Sequence, residues 1–461
     1  MNIVKKYIGD RAFYKKVLAV AIPIIIQNGI TNFVGLLDNI MVGRVGTEPM
    51  SGVAIVNQLL FVFNLAIFGA ISGPGIFTAQ YVGQKNNEGI RYTVRFKLLV
   101  AVVISIAGAV IFALFKEPLI ELFLHEQGEG IDPVATLGFA SQYLMVMLVG
   151  LLPFALTQSY AGTLRESGET VLPMTAGLIA VGVNLCLNYI LIFGHFGAPK
   201  LGVVGAAVAT VISRFVELLI VVTWTHVNKE KNPFAVGLYK GFKIPGSLFV
   251  KILAKGMPLF LNEFLWSMGM TALTQCYSTR GLGVIAAFNI SNTITNLFNV
   301  FMISMGATVA IMIGQILGSG DMSDVVDTDN KLIAFSVMLS AGLAVIQILV
   351  APFFPLVYNT TDEIRHLASM LIRIGACFMP VGAFLNCAYF TLRSGGRTFI
   401  TFLFDSAFLW VISWPVAFVL SRFTGLTIGY LYTFVLALDF IKVMIGYIML
   451  KKRIWINDLV G

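Results

Sequence analysis

Apolar runs long enough to cross a bilayer recur from one end of this chain to the other, and no other feature limits its folding as much. Leu98–Phe115, Ile333–Phe354 and Leu409–Leu420 with their apolar flanks are three of them, at the lengths a hydrocarbon core demands. Composition agrees. Of 461 residues, 57% are hydrophobic and 12% are charged, against roughly 25% charged in soluble domains, and the mean hydropathy is +0.87. So little charge cannot coat a soluble protein of this size, and the membrane is the solvent.

Apolar length places helices near 16–42, 51–76, 92–115, 136–158, 172–194, 202–225, 251–275, 285–312, 331–353, 366–391, 400–421 and 427–450. The fold class expected is an all-α, multi-pass membrane protein of about twelve helices, with both termini on one side. About 22 Lys and Arg then fall on the terminal side and about 6 opposite, which makes both ends cytoplasmic in a bacterial-type inner (plasma) membrane. That asymmetry also accounts for the net charge of +8 without a nucleic-acid surface. The basic start (Lys5, Lys6, Arg11, Lys15, Lys16) has no small-residue cleavage site and reads as part of the protein. The basic stretch Asn228–Lys255 reads as a cytoplasmic linker, so the expected division is a lobe at 1–227, a linker at 228–250 and a lobe at 251–461. Four cysteines, Cys186, Cys276, Cys377 and Cys387, sit in or beside apolar segments without a CxxC pair, so packing and not metal is their expected role.

An internal repeat supports two halves. At one ungapped offset of 235 residues, Pro23 pairs with Pro258, Gly46 with Gly281, Asn57 with Asn292, Phe63 with Phe298, Asn64 with Asn299, Gln80 with Gln315 and Gly83 with Gly318. A second register, offset 228, sets Thr163-Leu164-Arg165 on Thr391-Leu392-Arg393, Gly168 on Gly396 and Thr170 on Thr398. Six helices per half give both halves the same orientation, hence two parallel six-helix bundles related by a pseudo-two-fold axis along the membrane normal, with a cavity between them. That is transporter architecture, and one chain encloses a cavity without a second copy.

Energy coupling must come from outside the chain's own chemistry. No GxxxxGK[ST] loop and no soluble region the size of a nucleotide-binding domain is present, so ATP hydrolysis within the chain is not expected; a partner ATPase is one alternative, and an ion gradient held by intramembrane polar groups is the expected source. Asp38 lies toward the outer part of helix one, where a charge calls for a partner or a proton; with neutral oxygens around it, it can also hold Na⁺. The alternative is a structural Asp that caps a helix end or bonds Asn39 or Arg44. Glu263, at the repeat position of Asn28 and near mid-membrane, ranks second, with a structural hydrogen-bonding role as its alternative. Arg214 with Glu217, and Asp439 with Lys442, are spaced i, i+3, so each pair is expected to neutralise itself along one helix. Asp405 has no local partner and faces either a cavity or a polar neighbour. The loop arginines Arg165 and Arg393 are expected to fix loops or orient the chain. His125, His195, His226 and His366 fall in or beside loops, with no nucleophile paired to them, so no enzyme is expected and no cofactor is called for.

Several segments together resemble the multidrug and toxic compound extrusion (MATE) transporters over nearly the full length. They are Asp38-Asn39-Ile40-Met41-Val42-Gly43, Thr163-Leu164-Arg165-Glu166-Ser167-Gly168-Glu169-Thr170, Asn184-Leu185-Cys186-Leu187-Asn188 and Gly202-Val203-Val204-Gly205-Ala206-Ala207. The resemblance implies a cation site at Asp38, Tyr143, Asn184, Asn188 and Thr210, with Na⁺, if bound, at Asp38, Asn184 and Asn188. Asn184 and Asn188 stand one turn apart, so both side chains address one point. Many family members carry a second acid where this chain has Asn188; one formal negative charge tilts the expectation toward H⁺ over Na⁺. The resemblance also implies that Pro23 lets helix one bend. Helix ten has no acid to pair with Glu263, which departs from the two-acid Na⁺ site of some members. The implied function is antiport of small cationic or amphiphilic organic compounds, by alternating access of a monomer in the lipid bilayer. Two rivals are a lipid-linked oligosaccharide flippase of the same superfamily, which would need a larger cationic cavity, and an intramembrane enzyme.

Overall fold

A computed structural model of the chain describes residues 6–124, 132–241, 243–320 and 322–460; Lys5 and His125 lie outside them. Among the described residues there is no β-strand, and a helix stands at each of the twelve expected places. They are α1 (Arg11–Gly43), α2 (Thr47–Gly83), α3 (Asn87–Leu114), α4 (Pro133–Glu166), α5 (Val171–Phe193) and α6 (Val203–Val227). The second half holds α7 (Gly246–Ser278), α8 (Leu282–Ser319), α9 (Met322–Val350), α10 (Asp362–Ser394), α11 (Thr398–Phe423) and α12 (Ile428–Lys451). Eleven are long and apolar enough to cross a membrane. The remaining helix, α7, has its apolar run broken by Asn262, Glu263 and Gln275, yet its 33 residues reach about 50 Å at 1.5 Å each.

Three helices, α3, α4 and α10, begin ahead of their apolar runs because side chains cap them there. Asn86 Oδ1 accepts from Gly89 N at 3.0 Å, Asp132 Oδ1 from Val134 N at 2.9 Å, and Thr361 Oγ1 from Ile364 N at 3.4 Å. Proline marks the irregular turns. In α4, Pro153 cannot donate, the preceding turn Leu148–Gly150 tightens to 3₁₀, and the Gly150 carbonyl accepts from Arg214 Nη1 at 3.1 Å. In α11, the two turns ahead of Pro415 widen to π-helix at Leu403–Ala407 and Leu409–Ser413.

The chain divides into two compact units. One comprises 26–78 and 86–256; the other comprises 1–25, 79–85 and 257–461. The changes of unit within α1 and α7 fall beside their repeat-related prolines: two residues after Pro23, and at Met257 before Pro258. The first unit packs around Val56, Leu144, Ile192 and Ala207 of α2, α4, α5 and α6. There the linker is not free chain: buried Arg95 of α3 donates to the carbonyls of Gly237 (2.9 Å), Leu238 (2.8 Å) and Lys243 (3.0 Å). The second unit's main core draws Val17 and Ala21 of α1 together with Val309, Ile313, Leu332, Ala388 and Leu392.

Two close approaches explain residues picked out in the sequence. Within the second unit, a Cβ at Gly83 would overlap the Gln315 carbonyl, and a Cβ at Gly318 would overlap the Gln80 carbonyl. These four are repeat partners, so the register of 235 records a symmetric contact between the ends of α2 and α8. The Gln80 side chain is fully buried there; it donates to the Ser394 carbonyl (3.0 Å) and accepts from Leu459 N (2.8 Å). In the first unit, a Cβ on Gly205 would lie 2.6 Å from the Leu191 carbonyl. Glycine therefore lets α6 press against α5, which sets the geometry of the polar site between them. The cysteines are all free, Cys276 and Cys387 buried, Cys186 and Cys377 exposed.

Candidate functional site

The first unit holds a polar cluster built from α1, α4, α5 and α6. Asp38 lies five residues before α1 ends. Its carboxylate Oδ1 accepts from Asn188 Nδ2 at 2.6 Å, and the same Nδ2 donates to Asn184 Oδ1 at 3.1 Å. Asn184 Nδ2 donates in turn to Thr210 Oγ1 at 3.2 Å, and Thr210 donates to the Ala206 carbonyl at 3.0 Å. Tyr143, buried on α4, is hydrogen-bonded to Thr210. All five residues named from the family resemblance thus meet in one chain of contacts. Asp38 forms no ion pair with Arg44 or with any other base among the described residues.

One atom in this cluster stands apart. Asn188 is 1% exposed, and its Oδ1 has no hydrogen-bond partner among the described residues. A buried acceptor left unsatisfied is costly and calls for an explanation. Set beside a carboxylate whose contacts are neutral, it is an oxygen available to a proton carrier or a small cation. The described residues contain no group of three or more His, Cys, Asp or Glu that could hold a transition metal.

The second unit holds a larger polar network from α7, α10, α11 and α12. Asn262 Nδ2 donates to Asp405 Oδ2 at 3.1 Å, and Ser406 Oγ donates to Asn262 Oδ1 at 2.7 Å. Lys442 Nζ pairs with Asp405 Oδ1 at 2.8 Å. Glu263 is hydrogen-bonded to Tyr389 and faces Arg393. The π-helical turn of α11 is what frees Ser406 N–H to reach Asn262 Oδ1 at 3.3 Å. Beside this network lies a cavity of about 260 Å³ lined by Trp266, Tyr277, Phe288, Tyr432, Asp405 and Asp439. Tyr277 and Phe288 stack at 5.0 Å and Tyr432 stands edge-on to both.

Two expectations need correction here. Lys442 does not close on Asp439 along its own helix; it reaches Asp405 on α11, which supplies Asp405 with the polar neighbour it lacked in sequence. Nor do Arg214 and Glu217 form an ion pair: Arg214 bonds the Gly150 carbonyl and lies 5.0 Å over the Phe154 ring, while Glu217 faces Arg165 as well as Arg214. In both cases a partner on another helix offers better geometry than an i, i+3 neighbour. Arg165 and Arg393, equivalent in the repeat, each face an acid from another helix of their own unit, Glu217 and Glu263.

Sequence reasoning missed a third set of charges. Lys97 of α3 is fully buried, forms an ion pair with Glu166, and donates to Thr163 Oγ1 at 3.1 Å. At the repeat-equivalent place, Thr391 donates to Asp329 Oδ1 at 2.6 Å, and Asp329 is 3% exposed. Apolar length left Asp329 outside its expected helix because α9 begins earlier than its apolar run; Lys97 fell inside the expected helix at 92–115 but was not picked out as a buried charge. The signal that was available is the repeat, since Thr163 and Thr391 are partners.

Fold and site define a polytopic helical membrane protein with ionisable clusters inside its membrane-spanning helices. The MatE family model matches residues 23–190 and again 258–419, two copies that start at Pro23 and Pro258, and the chain belongs to that family. The probable multidrug resistance protein NorM of Thermotoga maritima is 27% identical over 89% of this chain and 86% of its own length. The probable multidrug resistance protein YoeA of Bacillus subtilis is 25% identical over 94% and 93%. Among solved structures, an outward-facing multidrug resistance MATE family transporter of the MOP superfamily superposes with a TM-score of 0.84 at 20% identity, covering 98% of both chains.

Proposed function

We propose that this protein is a secondary active antiporter that exports small cationic or amphiphilic organic compounds in exchange for H⁺, with Na⁺ as the alternative coupling ion. The observation that carries the reading is the Asp38–Asn188 contact, a carboxylate with neutral partners beside an unpaired buried oxygen. One monovalent cation, proton or Na⁺, balances the single charge. Asn188 then senses the change, because its Nδ2 holds Asp38 and Asn184 together. Asn184 and Thr210 pass the contact to α6. Pro23, without an N–H to donate and beside the change of unit in α1, is the hinge through which an altered Asp38 moves that helix.

The substrate class is supported by the names of the relatives and by the aromatic cavity with Asp405 and Asp439 in its wall, since aromatic faces and carboxylates attract organic cations. The relatives' names give no support to a lipid-linked saccharide substrate. We place both termini in the cytoplasm on the Lys and Arg asymmetry, and the working unit is the monomer. The test is efflux of a fluorescent cationic dye from proteoliposomes under an imposed proton gradient, then a Na⁺ gradient, with the native chain and Asp38→Asn. Movement driven by one gradient and lost in the variant is the expected result. Movement unchanged by Asp38→Asn overturns the site assignment and makes Glu263 the candidate.

A further inference from the structure

A cavity of about 440 Å³ in the second unit has no part in the transport reading. It is formed where the start of the chain meets α9, α10 and the end of α12. Its walls change chemistry along the helices. One end is basic: Lys6, before α1, and Lys451 and Arg453, at the end of α12, line it beside Tyr7 and Tyr447. All three cations are exposed, and none is in an ion pair among the described residues. Arg453 also holds a φ of 54°, uncommon for a residue with a side chain, where the backbone leaves α12 and buries Trp455.

The other end is apolar. Ile333, Val337 and Met338 share one face of α9, and Phe384 of α10 lines the same space. From Asn330 to Met338 this wall runs about 12 Å along the helix, and Met338 is 50% exposed at its far end. Asp329 also lines the cavity, but its carboxylate is buried and bonded to Thr391 of α10.

A soluble anion would use the basic end alone and leave the apolar wall without purpose. An amphiphile with an anionic head uses both. We propose that this cavity binds one anionic phospholipid, its phosphodiester against Lys6, Lys451 and Arg453 and the first part of an acyl chain along Ile333, Val337 and Met338. Basic pockets at helix ends recognise such headgroups, and the two tyrosines suit the headgroup level. The bound lipid fastens the start of the chain to the end of α12.

Native mass spectrometry of the purified full chain tests this, with phosphatidylglycerol, phosphatidylcholine or glycerol 3-phosphate added. The expected result is one phosphatidylglycerol retained per chain, at least about tenfold tighter than phosphatidylcholine, and at least about tenfold weaker in the Lys6→Gln/Lys451→Gln/Arg453→Gln variant. Met338→Trp, which fills the apolar wall and keeps every charge, weakens retention too, and decides the matter if the triple variant does not fold. Lys229→Gln/Lys231→Gln, basic residues elsewhere on the surface, leaves it unchanged. Equal retention of the two lipids, full retention in the triple variant or in Met338→Trp, an equal loss in the Lys229/Lys231 variant, or displacement by glycerol 3-phosphate would each overturn the proposal.

Discussion

The two polar clusters draw on corresponding helices, the first, fourth, fifth and sixth of each half, yet they treat charge in opposite ways. In the first cluster Asp38 is the one carboxylate; it is bonded to Asn188, and Asn184, Thr210 and Tyr143 beyond it are neutral as well. In the second unit Glu263 faces Arg393 and Asp405 is paired with Lys442. An acid that already has a resident base has little need of a cation from solution, whereas one held by amides and hydroxyls can exchange one. On the function proposed above, the difference assigns coupling to the first cluster and the holding of helices in register to the second. It also shows that a repeat visible in sequence can preserve the place of a site while its chemistry diverges.

The largest effect is expected from breaking that contrast at its centre. Asp38→Asn keeps an oxygen for Asn188 Nδ2 but removes the charge, so dye efflux should fall to background, at least about a hundredfold, with thermal stability in detergent little changed. Glu263→Gln should show the reverse pattern, because it removes the charge that faces Arg393 while its amide oxygen can still accept from Tyr389: lower stability, by about 1 kcal/mol, and efflux reduced only as far as folded protein is lost. Parallel measurements of efflux and melting on the two variants check this. If Glu263→Gln abolishes efflux at full stability, the roles of the clusters are exchanged.

Next in size is the buried pair of α3. Lys97→Met strands Glu166 without a counter-charge in an apolar setting and should cost about 3–5 kcal/mol, seen as loss of folded protein from the membrane. The matched variant Lys97→Met/Glu166→Gln should recover most of it. Asp329→Asn, at the equivalent place in the other half, should be nearly neutral, since the amide oxygen still accepts from Thr391. A Lys97→Met chain as stable as native would show that Glu166 does not depend on Lys97.

Third, Asn188→Ala removes the link from Asp38 to Asn184 without touching the carboxyl. Efflux should drop about tenfold, the loss of roughly 1.4 kcal/mol that one hydrogen bond to a charged group represents. Asn188→Asp sharpens the comparison further, because a second carboxylate should raise the response to Na⁺ relative to that to H⁺. Initial efflux rates under each gradient measure both.

Much of this was legible in the sequence. Twelve helices, the repeat and the five residues of the Asp38 cluster could all be named from apolar length, a fixed offset and motif resemblance. What escaped were partners set by packing between helices. No local spacing shows that Lys442 reaches Asp405 and not Asp439, because the choice is made by the crossing of α11 and α12. Lys97 escaped for a related reason: it lies inside the expected helix at 92–115, but its partners Glu166 and Thr163 are on another helix, and nothing in the local spacing shows them. The glycine pairs were visible as repeats without their cause, which is the contact of Gly83 and Gly318 with facing carbonyls.

The smallest effect belongs to removing a whole charge pair from the second cluster. Lys442 and Asp405 are largely buried, their side chains 13% and 20% exposed, so taking either one away leaves the other uncompensated, and each single variant should lose about 3 kcal/mol. Replacing both, as Asp405→Asn/Lys442→Met, removes the desolvation cost along with the attraction. The remaining amide can still accept from Asn262 Nδ2, as the carboxylate does at 3.1 Å. The double variant should therefore lie within about 1 kcal/mol of native in a melting cycle, with efflux within about twofold. Full stability with efflux lost would mean that this pair takes part in coupling, and the contrast between an exchanging cluster and a scaffolding one would have to be given up.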